Sequence, residues 1–311
     1  MTSFKKIKKY FSPMNVIVIL IIAFLIVTIY KHGVKYNESI EGFDVDNGEF
    51  KENITIETIY DTFYVNIYDK LCNDPSKHQF EIDHIVKNTD VTSESKILDV
   101  GSGTGHIVDT LAKHECQVIG LDKSTSMYEK SKELYPKRDF INGDATTSIL
   151  FEPEEFSHIT CLYFTVYYIK DKRAFFKNCY DWLKPGGSMV IHLVNKHMFD
   201  PILPPGNPLQ SVSAQKYAPE RITQTEIVFN NYNYKSEFII DDDNKITDFV
   251  EIFSNKKNKS PFRKNVHHLH MEDQSVIISI AKQMGFIAKS KYDMSPCSYE
   301  YNYLYVLKKP H

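Results

Sequence analysis

Hydrophobic and polar positions fall into three regimes along the chain. From Met14 to Tyr30 there is no charge and little polarity, and roughly 17 residues at 1.5 Å each would span about 26 Å, near the thin end of a hydrocarbon core. The run ends in Tyr30, Lys31 and His32 instead of the small residues of a cleavage site, so residues 14–30 read as an uncleaved transmembrane anchor behind a basic tail over 1–13. Residues 31–56 are polar, contain Gly33, Gly42 and Gly48 and show no period, and read as a tether.

Periodicity begins with "IETIYDTFYVNIYDKL", where Ile59, Phe63, Ile67 and Leu71 share one helical face. After Val91 the pattern alternates. The strands "KILDV", "QVIGLD", "DFINGD", "HITCLYF" and "SMVIHLV" are separated by the helical stretches "HIVDTLAKH", "SMYEKSKELY", with Ser124 or Ser126 as N-cap, and "DKRAFFKNCYDWL", stopped by "KPGG". Strands apolar on both faces and joined by helices predict an α/β fold, a largely parallel sheet covered on each side. Between 198 and 271 the alternation breaks. "TEIVFNNYNYKSEFII" has two β-rich runs around an Asn-Asn turn, and "KITDFVEIF" follows, which predicts an antiparallel cap. The helix "EDQSVIISIAKQMG" and the strands "FIAKSKYDM" and "YEYNYLYVL", within 272–311, then complete the core begun at 57–197.

Composition adds exclusions. A net charge of -3 offers no field for phosphate neutralisation, so nucleic acid is not an expected partner. The five cysteines are widely spaced with no C-x-x-C, which signals neither zinc nor a disulfide framework. Cys161 and Cys179 sit among apolar neighbours and read as core thiols.

The chemistry concentrates in "ILDVGSGTGH". Gly101, Gly103 and Gly105, directly after a strand and before a helix, allow close backbone approach by a nucleotide. The dinucleotide fingerprint needs a glycine where His106 stands. With Asp99 two residues ahead of Gly101, the string instead resembles motif I, D-x-G-x-G-x-G, of the class I S-adenosylmethionine-dependent methyltransferases, small-molecule type 11/25-like branch. Further positions follow that family in order: Asp122 ending "VIGLD", Asp144 in "INGDA", Met127, and "LKPGG" before the fifth strand. "IYDTFYVNIYDKL" is similar to the Y-D-x-x-A-x-x-Y-D helix that precedes motif I there.

The resemblance implies a Rossmann-like, seven-stranded methyltransferase sheet, with the cap inserted after strand five, and S-adenosylmethionine as cofactor. It further implies that Asp99 holds the amino-acid end, and that Gly101, Ser102, Gly103 and Gly105 surround methionine and ribose. Asp122 and Lys123 would meet the ribose edge, Met127, Asp144 and Ala145 the adenine, and Tyr68, with Tyr60, would form a lid. Tyr163, Phe164, Tyr167 and Tyr168 lie where methyl group and acceptor meet, either walling an acceptor site or filling core.

Methyl transfer requires alignment and sometimes a proton acceptor. His192, on strand five, and Tyr167 are the catalytic candidates, His192 having the titration range of a base. "RKNVHHLHMED" offers Arg263 to grip an acceptor carboxylate and His268 to line the pocket. Strand alternation splits its imidazoles between faces and the Cys and Asp partners of a metal site are absent, so no metal is expected. The expected function is a membrane-anchored methyltransferase for a small or lipid-like acceptor. The alternatives are a non-catalytic membrane-anchored binding protein and, more distantly, an NAD(P) oxidoreductase. Lysines are denser before the anchor (Lys5, Lys6, Lys8, Lys9) than after it (Lys31, Lys35). That bias predicts the catalytic domain on the non-cytoplasmic side, where Asn37, Asn53 and Asn258 would be glycosylation acceptors; a cytosolic cofactor and unpaired cysteines favour the opposite face.

Overall fold

A computed structural model describes residues 17–25, 50–206, 214–243 and 246–311. Residues 17–25 form a helix (α1) whose nine side chains are all apolar and exposed. Among the described residues no helix is long and apolar enough to cross a membrane; the remainder of the expected anchor, and most of the expected tether, lie outside the described residues.

The polar stretch does not run unstructured to 56. Lys51–Asn53 forms a short strand, β1, followed by helices α2 (Ile56–Ile59), α3 (Thr62–Cys72) and α4 (Pro75–Asn88). Three residues are too few to carry a period, and β1 exists because it finds a partner 212 residues away: the Asn53 amide donates to Asn265 Oδ1 at 3.1 Å. Asn53 is buried, which removes it as a glycosylation acceptor in the folded chain. The hydrophobic pattern also missed α4, yet a start signal was present. Asp74 caps the Ser76 and Lys77 N–H groups, and Pro75 occupies the first turn, where its missing N–H costs nothing.

The main sheet contains β2 (Lys96–Val100), β3 (Gln117–Asp122), β4 (Asp139–Asn142), β5 (Phe156–Cys161) and β6 (Leu183–Val194), and is completed by β11 (Ile287–Asp293) and β12 (Asn302–Lys308). Its order is β11-β12-β6-β5-β2-β3-β4. β2 to β6 pair in parallel, and β12 runs antiparallel to both neighbours. Helices α5 (His106–Ala112), α6 (Thr125–Leu134), α7 (Thr165–Tyr168), α8 (Lys172–Trp182) and α9 (Gln274–Gln283) follow their strands. Alternation along β2 divides the interior: Ile97 packs with Ile82 and Ile85 of α4 and Leu111 of α5, whereas Leu98 joins Phe175, Phe176 and Trp182 of α8 and Ile277 of α9. Full burial of one such side chain stabilises by about 1.5–3 kcal/mol. Cys161 and Cys179 are core thiols as expected.

The insertion after β6 is an antiparallel meander of β7 (Gln224–Val228), β8 (Tyr232–Asp241), β9 (Ile246–Asn255) and β10 (Pro261–His270), with β1 parallel on the free edge of β10. Its inner face, carrying Phe238, Phe249, Phe253 and Leu269, packs into the same core as α3 and α8. The cap and the lid helices therefore close over one end of the main sheet.

Candidate cofactor and acceptor site

Between the carboxyl ends of β2, β3 and β5, helices α2 to α4 and the cap lies a cavity of about 500 Å³. Its floor is the loop after β2, where Gly101 and Gly103 adopt φ of +71° and +54°. A Cβ on Gly101 would lie 2.3 Å from the Thr165 side chain, so that glycine is required by packing as well as dihedral. On Gly103 a Cβ would meet nothing nearer than Tyr68 Cε1 at 3.9 Å; it would stand in the cavity. The Gly103 N–H donates to Asp122 Oδ2 (2.8 Å) and the Ser124 N–H to Oδ1 (2.9 Å). Burial raises the Asp122 carboxyl, and these two backbone bonds oppose that rise. Each oxygen keeps acceptor capacity toward the cavity, suited to a vicinal diol.

Beside the loop, burial pushes Asp99 up to about 7, against the bond it receives from the Thr160 hydroxyl at 2.7 Å. Helix α4 delivers Lys77 and Glu81, a fully buried pair at 3.1 Å, with the Lys77 ammonium 4.8 Å from the centroid of Tyr163. Tyr163 itself takes φ +52°, a left-handed conformation unusual for a tyrosine, at the turn leaving β5. Zwitterionic groups of a ligand's amino-acid end are matched by this trio of Asp99, Lys77 and Glu81. At the other wall Asp144 pairs with Lys123 at 3.0 Å. Burial would raise the Asp144 carboxyl, but the Thr146 N–H and hydroxyl and Lys123 outweigh it and hold it low. Met127 and Ala145 supply apolar surface there.

Toward the cap the lining turns aromatic. Phe164, Phe199, Phe238 and Phe249 line one wall, Phe238 and Phe249 stacked at 4.6 Å and Phe249 5.2 Å from the His267 ring. Opposite stand Tyr60, Tyr64, Tyr68 and Tyr168. Glu251, fully buried behind them, receives the Tyr64 and Tyr234 hydroxyls on Oε1 (2.8 and 2.7 Å), and Asn265 Nδ2 and His267 Nε2 on Oε2 (2.9 and 2.8 Å). Burial alone would raise this carboxyl; the His267 imidazole and the Asn265 and Tyr234 bonds leave it below its ordinary range.

Most expected residues converge here: Asp99, Gly101, Ser102, Gly103, Asp122, Lys123, Met127, Asp144, Ala145, Tyr163, Tyr68 and Tyr168 all line the cavity. Five do not. Gly105 lies one turn away, its place for a Cβ filled by Phe140 at 2.7 Å. His192 is buried within the sheet, its Nε2 3.0 Å from Asn302 Oδ1 and its Nδ1 3.8 Å from Glu81. Burial, aided by Lys77, holds it down at about 3, so it is a neutral structural imidazole. Tyr167 is fully buried, and its hydroxyl accepts the Val194 N–H at 2.8 Å. Arg263 is buried against Asp61 (2.7 Å), the Ile59 carbonyl (2.7 Å) and Asn265 Oδ1 (2.8 Å), tying the lid helices to β10. His268 points outward to Asp248, because β10 alternates and the inward partner is His267. Sequence reasoning missed Lys77, Glu81 and Glu251. Only the Asp74-Pro75 helix start hinted at the first two, and nothing local marks the third.

A family model described as a methyltransferase domain matches residues 97–187, the stretch that carries Asp99, the glycine loop, Asp122 and Asp144. This stretch resembles a class I methyltransferase domain. S-adenosylmethionine is the cofactor of that class, and the cavity's donor set and volume fit it. A ubiquinone biosynthesis O-methyltransferase of Aliivibrio fischeri (strain ATCC 700601 / ES114) is 24% identical over 121 residues, 38% of this chain and 51% of that protein. The chain thus spans about half the length of the curated relatives it matches. Among solved structures, an S-adenosylmethionine-dependent methyltransferase from Clostridium acetobutylicum ATCC 824 superposes with a TM-score of 0.59 at 17% identity, covering 80% of this chain and 98% of that one. The S-adenosylmethionine-bound amino pentose methyltransferase CalS10 from Micromonospora echinaspora gives 0.56 at 17%, covering 80% and 97%. These likenesses concern the fold.

Proposed function

We propose that the protein transfers the methyl group of S-adenosylmethionine to an oxygen of a small, largely apolar acceptor. The observation that carries this reading is the single cavity in which the Asp99, Gly103 and Asp122 cluster opens directly onto the aromatic chamber under the cap. The name of the Aliivibrio fischeri relative supports oxygen as the methylated atom. When bound, the cofactor supplies a methyl carbon already activated by positive sulfur. Asp122 would accept both ribose hydroxyls, Asp144 and Met127 would hold the adenine, and Asp99 with Lys77 and Glu81 the amino-acid end. The Tyr60 to Tyr68 lid and the phenylalanine wall would exclude water and align the acceptor for in-line attack.

Calorimetry on the whole chain tests the first half: S-adenosylmethionine binds and Asp122→Ala weakens it at least tenfold. No binding by the wild type rejects the function. Tritiated cofactor with lipid and hydroxyaromatic extracts tests the second half; binding without label transfer to any fraction favours a non-catalytic binding protein. Attachment to a membrane through residues 14–30 is supported by the exposed apolar side chains of α1. Carbonate extraction of membranes checks it, and protease protection in sealed vesicles would tell which side holds the catalytic domain.

A further inference from the structure

A chain of hydrogen-bonded side chains runs from Tyr60 at the lid through Tyr168 to His267 and Glu251 of the cap. Tyr60 donates its hydroxyl to Tyr168 at 3.0 Å. The Tyr168 hydroxyl lies 2.7 Å from His267 Nδ1, and His267 Nε2 lies 2.8 Å from Glu251. Direction follows from the far end. All four partners of the Glu251 carboxylate are donors, so it accepts only, and His267 must present a proton from Nε2. With the ring neutral, Nδ1 is an acceptor, and the Tyr168 hydroxyl gives its proton to it. One acceptor position on the Tyr168 oxygen remains, and Tyr168 and His267 both line the cavity where the phenylalanine wall ends.

We propose that Tyr168 and His267, oriented by Glu251, form a proton relay that deprotonates a hydroxyl-bearing acceptor seated against the phenylalanine wall. The proposal rests on the methyl-transfer reading above. As the acceptor oxygen bonds to the methyl carbon and the carbon–sulfur bond breaks with its electron pair leaving on sulfur, the acceptor's proton passes to Tyr168. Tyr168's own proton passes to His267 Nδ1. The positive charge lost from sulfur reappears on the imidazole, where the Glu251 carboxylate stabilises it, and the proton leaves to water when the product departs. Burial raises the Tyr168 phenol, so it hands protons on without holding a negative charge. Glu251 is the positioning residue. It fixes the tautomer, and Asn265 and Tyr234 in turn hold its two oxygens. This arrangement assigns the acceptor class: an uncharged ring compound with a weakly acidic hydroxyl.

Two measurements test the relay on the whole chain without cofactor. In nitrogen-15 NMR of labelled histidines, with the His267→Asn spectrum assigning the signal, His267 is expected to carry its proton on Nε2 with Nδ1 bare; a proton on Nδ1 overturns the relay. The second uses 4-nitrophenol, which is yellow only when ionised, at a pH where the free probe is largely neutral. Bound probe turns yellow in the wild type. Its ionisation ratio falls about tenfold or more in His267→Asn and Tyr168→Phe, one pKa unit being a factor of ten, while the probe still binds. Glu251→Gln, the conservative change, keeps binding and loses colour in step with its shift of tautomer. Colourless bound probe in the wild type, undiminished colour in Tyr168→Phe, or no binding at all overturns the proposal. If the probe stays neutral while S-adenosylmethionine still binds, the relay fails and the methyltransferase reading stands; if the cofactor does not bind, that reading fails on its own.

Discussion

Gly101 and Gly103 sit two residues apart in one loop with similar positive φ, yet their alanine variants should fail in different ways. Alanine in the left-handed region costs about 1–2 kcal/mol at either site. At Gly101 the new Cβ also lies 2.3 Å from both Thr165 Oγ1 and Cγ2, a collision with the start of α7 that adds about 1–3 kcal/mol of overpacking. Gly101→Ala should therefore lose about 3 kcal/mol in urea unfolding, and Thr165→Ala in the same chain should restore about 1–2 kcal/mol of it as a coupling energy. At Gly103 only the dihedral cost applies, because Tyr68 at 3.9 Å is an ordinary contact. Its methyl group instead occupies space beside Asp122 that the ligand needs. Gly103→Ala should remain folded, lose about 1–2 kcal/mol of stability, and bind S-adenosylmethionine about 10- to 100-fold more weakly by calorimetry. The reasoning is refuted if Gly101→Ala is no less stable than Gly103→Ala, or if Gly103→Ala binds the cofactor like the wild type.

Other consequences follow from charge. Asp99, held at about 7, binds a proton in the folded chain between about pH 4 and about 7 that the unfolded chain has released, so its contribution to stability falls as pH rises through that window. Affinity for the ammonium of S-adenosylmethionine should rise as pH passes through about 7, where the folded carboxyl gains its charge; calorimetric titrations at pH 6, 7 and 8 that show a flat profile would contradict the assigned contact. Lys77→Met strands the fully buried Glu81 carboxyl and should cost about 3–5 kcal/mol in chemical denaturation, whereas Lys77→Met with Glu81→Leu should recover most of the stability without recovering cofactor affinity. His268→Ala, which removes only an exposed pair with Asp248, should change the melting transition by no more than about 0.5 kcal/mol. Arg263→Met, which strips the lid helices of their buried anchor, should cost about 3 kcal/mol or more and raise protease cleavage near Tyr60.

How much was legible depended on the distance over which each signal acts. The strands β2 to β6, the glycine loop and the acids at 99, 122 and 144 are consecutive pieces of a strand–turn–helix repeat, and each declares itself within about ten residues through period, turn chemistry and capping. That local code carried the fold class and the residues on the floor of the cavity. The half under the cap was misread, with His192, Tyr167, Arg263 and His268 expected at the pocket and none of them lining it. Residue type suggested chemistry in each case, but the outcome depended on which face of a strand met which neighbour. His192 points at Glu81 inside the sheet, and Tyr167 spends its hydroxyl on the Val194 backbone. On β10 a single step along the strand exchanges the exposed His268 for the buried His267.

By itself, then, the sequence determined an α/β core, an antiparallel insertion and the glycine loop with its neighbouring acids. Only the tertiary structure decided that β1 closes the edge of the cap, that α4 brings Lys77 and Glu81 to the glycine loop, and that Glu251, Tyr60, Tyr64 and Tyr168 meet around one imidazole. The physical reason is that a buried carboxylate is tolerated only where donors converge on it, and these donors are gathered by strand pairing and helix packing across more than 180 residues of chain.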